Sequence, residues 1–132
     1  MTLAYLVDTD WVIHWLNGHP AIGRRLNEVK DQGLALSVAS LAELYEGVHY
    51  STAPEENERQ LLNFLRDVTV LGIDLETCQI FGKERGRLRA AGKLIADFDL
   101  VIGSTALRHN ITLFTNNRRD FELVEGLRLE SL

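Results

Sequence analysis

Residues 4–13 read AYLVDTDWVI. An apolar run of strand length, Ala4–Val7, stops on Asp8 and Asp10 with a threonine between them, and the chain turns apolar again at Trp11. A carboxylate closing a core strand needs a physical reason. Removing it from water is costly unless it is hydrogen-bonded, paired or bound to a cation.

Working outward, further apolar runs of strand length lie at 34–38, 68–73 and 111–115, with a weaker one at 127–129. Helical patterns separate them. Residues 21–30 are amphipathic and follow Pro20; Leu41, Leu44, Tyr45 and Val48 repeat at i, i+3, i+4, i+7; Leu61, Leu62 and Leu65 follow Pro54. Two longer patterns cover 75–91 and 100–109. Strands alternating with helices predict a parallel sheet covered on both faces. The expected fold is a three-layer α/β/α sandwich with a central, mainly parallel sheet of about five strands. No repeat, low-complexity stretch or linker divides the chain, so residues 1–132 are expected to form one domain.

Composition narrows the function classes. The chain has one cysteine, Cys78, and neither a CxxC pair nor a Cys/His ladder. A disulfide scaffold and a structural zinc site are therefore disfavoured, and a reducing, cytoplasmic location is expected. No basic-then-apolar leader opens the sequence and no apolar run approaches ~18 residues, so no membrane association is expected. The net charge is −5, whereas a generic nucleic-acid binder is usually basic. Any nucleic-acid role must account for that acidity.

Ligands of an open parallel sheet bind beyond the carboxyl ends of its strands. Asp8 and Asp10 follow the first strand, and Glu43 follows the second by one short turn, in SVASLAELYEG. Asn117 and Asp120 follow the fourth, in LFTNNRRDF, and Asp97 and Asp99 open the helix leading into it. Four segments thus deliver acids to one edge. Each has a simpler explanation: Ser40 to Glu43 has capping-box spacing, Asp97 and Asp99 suit a helix N-terminus, and Asp8 or Asp10 could cap a helix from Trp11. The joint occurrence favours a site, because crowded carboxylates repel one another unless a cation holds them. Oxygen donors without histidine or cysteine select a hard ion, Mg2+ or Mn2+.

With these segments in view, the chain resembles the PIN-domain ribonucleases, and within them the VapC-type toxins of toxin–antitoxin pairs. The matching blocks are LVDTDWVIHWL, SLAELYEG, DFDLVIGSTALRH and LFTNNRRDFELVEGLRLE, in that order and over essentially the whole length. The resemblance places the family's acids on Asp8, Glu43 and Asp99, and a fourth position, often Asp and often Asn, on Asn117. It departs at Asp10, where the family often has Asn or Ser, and at Gly103-Ser104, which replace a pair of alanines. It implies a metal-dependent endoribonuclease in which Asp8, Glu43 and Asp99 hold Mg2+ or Mn2+. Asn117 completes the catalytic set, and Asp10, Asp97 and Asp120 support it. It also implies an RNA substrate, a small VapB-like antitoxin and a homodimer.

Arg118 and Arg119, beside Asn117, are the candidates for holding the RNA backbone, with the run Lys83, Arg85, Arg87, Arg89 and Lys93 a weaker alternative against a solvated helix face. Trp11 and Trp15 are expected to pack on each other, Cys78 to be core, and the four histidines to be bystanders. Two rival functions fit parts of the pattern. VDTDWV suits the Asp-x-Asp of a haloacid-dehalogenase-like phosphatase, with Ser37 or Ser40, Lys93 and Asp97 with Asp99 as its later motifs, but Glu43 then has no task. A non-catalytic module with an acidic rim for a protein partner is the other.

Overall fold

The computed structural model describes residues 2–132. Five strands alternate with seven α-helices. The strands are β1 (Tyr5–Val7), β2 (Leu34–Ser37), β3 (Val68–Leu71), β4 (Thr112–Phe114) and β5 (Leu129–Glu130). Helices α1 (Thr9–Leu16) and α2 (Pro20–Val29) join β1 to β2; α3 (Val38–His49) and α4 (Pro54–Leu65) join β2 to β3. Helices α5 (Leu75–Ala90) and α6 (Asp97–His109) lead to β4, and α7 (Arg118–Phe121) precedes β5. All neighbouring strands pair in parallel, in the order β3-β2-β1-β4-β5.

Strand alternation divides the core. In β1, Val7 joins one cluster with Trp11, Ile22, Leu36, Leu44, Leu61 and Phe114, which seats α1 to α4 on one face. Leu6 joins a second with Ala35, Ile102, Ala106, Leu113 and Phe121, which seats α6 and α7 on the other. The three-layer α/β/α sandwich is as expected. Leu6 and Val7 of β1 are both fully buried although they face opposite sides, which explains why this strand reads as an unbroken apolar run rather than an alternating one.

Local chemistry sets the boundaries. Ser37 ends β2 and caps α3, its hydroxyl accepting from the Ala39 amide at 3.1 Å. Val38 therefore belongs to the helix, not the strand. Gly33 enters β2 at φ 97°, and a Cβ there would run into the Thr2 carbonyl oxygen, so the position requires glycine.

Three expectations fail here. Trp11 and Trp15 pack on different partners: Trp11 stacks on Phe114 at 4.5 Å, and Trp15 tilts against Phe64 at 5.1 Å. Cys78 is exposed. The buried face of α5 is Thr77, Glu84, Arg85 and Leu88, two charged residues among them, so apolar spacing could not locate it. The Ser40–Glu43 capping box does not form, because the cap is Ser37 and Ser40 is buried inside the helix.

Candidate active site at the carboxyl edge of the sheet

In chain order β1, β2 and β3 step outward in one direction, and β4 returns to the far side of β1. The order therefore reverses between β1 and β4, the switch point at which α/β sheets open a crevice. Asp8 leaves β1 at this crevice and residues 115–117 leave β4 beside it. The two segments are stitched together: the Asp8 amide donates to the Phe114 carbonyl at 2.9 Å, and the Thr115 hydroxyl donates to Asp8 Oδ2 at 2.7 Å.

Asp8 is the N-cap of α1, with Oδ1 accepting from the Thr9 amide at 2.8 Å. The helix begins at Thr9, so Asp10 lies in its first turn and does not cap it, contrary to the capping role considered for Asp10. Instead Asp10 Oδ2 accepts from the Asn116 amide at 3.2 Å, while Asp10 Oδ1 is buried with no hydrogen-bond partner. The Trp11 indole N–H donates to Asn116 Oδ1 at 3.1 Å, and Asn117 donates to the Thr115 hydroxyl from its amide and to Asp120 Oδ2 from its side chain. Residues 115–117 are thus tied to Asp8, Asp10, Trp11 and Asp120 at once.

Glu43, one turn into α3, accepts from the Thr9 hydroxyl at 2.8 Å. Asp99, in the first turn of α6, faces Glu43, Asp120 and Asp10. Burial and then the charge of these three push its carboxyl above the ordinary range. Asp8 is pushed up to about 7, chiefly by burial and further by neighbouring Asp10, against the lowering effect of the Thr115 and Thr9 bonds. Five carboxylates, from three strand ends and a helix start, share one field.

Asp97 is not brought into this group. Its carboxylate is exposed and accepts from Arg85 at 2.5 Å, beside the Ile95 carbonyl to which Arg85 also donates. Arg87 is likewise committed to Glu84 and the Leu123 carbonyl. Two members of the basic run on α5 are therefore structural. Of the arginines on α7, Arg118 bonds Glu122 and Ser131, and Arg119 is exposed. Thr9, Thr115 and Asn116 were not singled out from the sequence. The available signal is a threonine within two residues of the end of each of two adjacent parallel strands, in VDT and LFT.

The donor chemistry fits a hard divalent ion. Asp10 Oδ1 is a buried acceptor without a donor, and both Asp8 and Asp99 hold their protons too tightly for isolated carboxylates, the condition a bound cation relieves. Among the described residues no three carboxylate, imidazole or thiol groups close on one point by themselves.

Comparison with known proteins gives the same frame. Ribonuclease VapC2 of Rickettsia felis is 32% identical over 131 residues, covering 98% of each chain. The tRNA(fMet)-specific endonuclease VapC of Shigella flexneri is 30% identical over 128 residues, covering 97% of each. The solved structure of VapBC2 from Rickettsia felis, bound to a DNA fragment from its promoter, superposes with a TM-score of 0.93 at 30% identity, covering 98% of this chain and 99% of that one. The phosphatase reading of VDTDWV falls with this result. The PIN domain model matches residues 5–127, and the chain belongs to the PIN-domain family, in its VapC-type group.

Proposed function

We propose that this chain is an endoribonuclease toxin of VapC type that hydrolyses RNA phosphodiester bonds with Mg2+ or Mn2+. The observation that carries the metal-dependent chemistry is the buried Asp8 carboxylate at the switch point, fixed by Thr115 and Thr9 next to the partnerless Asp10 oxygen. Asp8, Glu43 and Asp99 would hold the ion, directly or through water. When bound, the ion neutralises phosphate charge and makes water acidic enough to yield hydroxide near neutral pH.

The chain's own groups orient what surrounds it. The Thr115 hydroxyl and Thr9 amide hold Asp8 in one rotamer, and the Thr9 hydroxyl holds Glu43, so two acids are aimed by hydroxyls that donate to them. Asp10, Asp120 and the Asn117 side-chain amide would position water and the leaving oxygen. Arg119, exposed on α7, is the better placed cation for an RNA phosphate, since Arg118 is already paired with Glu122. The acidity of the chain is thereby explained, because part of it belongs to a site that works with a cation present.

The substrate and partner follow from the relatives. The Shigella flexneri relative is named for tRNA(fMet), so structured RNA with an unpaired loop is the substrate class to test first. Related structures are VapBC assemblies from Rickettsia felis and Salmonella typhimurium, so a small VapB-like antitoxin is the expected inhibitor and a homodimer the expected state. No described helix is long and apolar enough to cross a membrane; a cytoplasmic site of action is proposed. Sequencing RNA ends after incubation of total RNA with the purified chain in Mg2+ tests this. A small set of discrete cuts is expected, and undamaged RNA would contradict it.

A further inference from the structure

Residues 10, 11 and 116 exchange two hydrogen bonds across the switch point. The Asn116 amide donates to Asp10 Oδ2 at 3.2 Å, and the Trp11 indole N–H donates to Asn116 Oδ1 at 3.1 Å. The Leu132 amide donates to the same Asn116 Oδ1 at 3.0 Å. One exposed side chain thus ties the start of α1, the segment after β4 and the segment after β5 into a single clasp.

We infer that Asn116 is a positioning residue of the carboxylate edge: its side chain fixes its own backbone N–H on Asp10 Oδ2, so that Asp10 presents Oδ1 as the free oxygen. The inference rests on the ribonuclease reading above and adds a residue that acts through Asp10. Three features carry it. First, the side chain does not bond locally. An asparagine in a turn ordinarily bonds its own backbone two residues on, whereas Asn116 takes one donor 105 positions back and another 16 positions ahead. Second, both lone pairs of Oδ1 are used, and one of them matters to the core. Trp11 is fully buried and its indole can only donate, so leaving that N–H unpaired is costly. The pairing holds the Asn116 side chain, and with it the local backbone, in one place. Third, the Asn116 amide is what distinguishes the two oxygens of Asp10. Oδ2 accepts from it, and Oδ1 remains a buried acceptor without a donor. Asp10 also lies near enough to Asp99 for the two charges to interact, so its free oxygen belongs to the same edge.

The chain has two tryptophans, so the test begins with its two indole N–H signals, recorded by NMR in chelator. Trp11→Phe identifies the Trp11 signal; it deletes the donor and keeps an aromatic ring to stack on Phe114. Asn116→Leu removes the acceptor at similar size, and the Trp11 indole should then exchange with solvent at least about tenfold faster. Asn116→Asp keeps an acceptor in place and should keep the slow signal. With Mg2+ present, Asn116→Leu should lower kcat about fivefold and leave KM for RNA within about twofold. The Mg2+ concentration at half-saturation, read from the rise in melting temperature, should increase about fivefold. Adding Asn116→Leu to Trp11→Phe, or to Asp10→Ala, should change either quantity by less than about twofold, because the clasp is already open or its target is gone. Slow indole exchange retained in Asn116→Leu, or lost equally in Asn116→Asp, would overturn the inference. Losses that multiply in the double variants would do the same. An active wild type with unaltered kcat and Mg2+ half-saturation in Asn116→Leu would overturn it while sparing the ribonuclease reading. A wild type that leaves RNA intact, with indole exchange and Mg2+ half-saturation that still respond to Asn116→Leu, would sink the ribonuclease reading and uphold the clasp.

Discussion

Asp8 and Asp74 stand in the same kind of place. Each follows a parallel strand and each is the N-cap of the next helix, α1 and α5 respectively. Their electrostatics are opposite. Asp74 accepts from both the hydroxyl and the amide of Thr77 and from Arg108, and these bonds, the Thr77 hydroxyl first, draw its carboxyl down to about 2. Asp8 accepts from Thr115 and Thr9 but is buried beside a second carboxylate, Asp10, so it rises to about 7. A cap is stabilised where it sits. A site residue is held in a position that is unfavourable until something else arrives. The difference lies in the partner: α6 supplies Arg108 to Asp74 and Asp99 to the edge that Asp8 shares.

Replacing each aspartate by alanine should separate them most sharply. Asp8→Ala should eliminate RNA cleavage, a loss of at least about a thousandfold if a transition-state interaction of ~4 kcal/mol disappears. Asp74→Ala should leave the cleavage rate within about threefold and lower the melting temperature. Steady-state rates on one RNA and thermal melts of both variants check this. Comparable loss of activity from both changes would mean that capping α1, rather than chemistry at the edge, is what Asp8 provides.

Thr115→Val keeps shape and removes the donor to Asp8 Oδ2. Loss of a hydrogen bond to a charged group should slow cleavage about tenfold or more and move the acidic limb of the pH–rate profile upward, because that bond holds the Asp8 carboxyl down. An unchanged profile would sever Thr115 from the reaction. Asp10→Asn should cost less, since an amide oxygen still accepts from the Asn116 N–H; measurable cleavage should survive.

The smallest effect is on stability in chelator, where the two aspartates have opposite signs. Asp8 has its ordinary carboxyl value of 3.8 when unfolded and about 7 when folded, so between these values the folded state binds the extra proton. Stability therefore falls as pH rises from about 4 to about 7, with Asp99 acting in the same direction. Asp74 contributes stability that is present above about pH 4 and is lost only as pH falls toward about 2. Melts of wild type and Asp8→Asn in chelator should diverge as pH rises from 5 to 8, with the variant the more stable. A variant that is less stable throughout would restore Asp8 to the role of Asp74.

Much of this was legible in the sequence, for identifiable reasons. Strands β1, β2 and β4 are buried enough to read as apolar runs, β3 at the sheet edge reads as one through its valines and leucine although it is only partly buried, and the order of strands and helices dictates a parallel sheet whose acids share an edge. What resisted reading was polarity used inside the fold. Arg85 and Glu84 face inward on α5 with partners that lie far away in sequence, which put Cys78 on the wrong side and made Arg85 and Arg87 look available to RNA. Asp97 and Asp99, two residues apart at a helix start, look equivalent in sequence. Only Arg85, which takes the first, and Glu43, which faces the second, tell them apart.

The central claim is that the edge carrying Asp8 works only with a hard divalent ion. The direct measurement is the cleavage rate of one RNA after exhaustive treatment with chelator, followed by separate addition of Mg2+, Mn2+ and Ca2+. No cleavage in chelator, full return with Mg2+ or Mn2+, and protection against thermal unfolding without turnover in Ca2+ are predicted, because the larger ion tolerates irregular coordination that Mg2+ does not. Cleavage at the untreated rate in chelator would contradict the account.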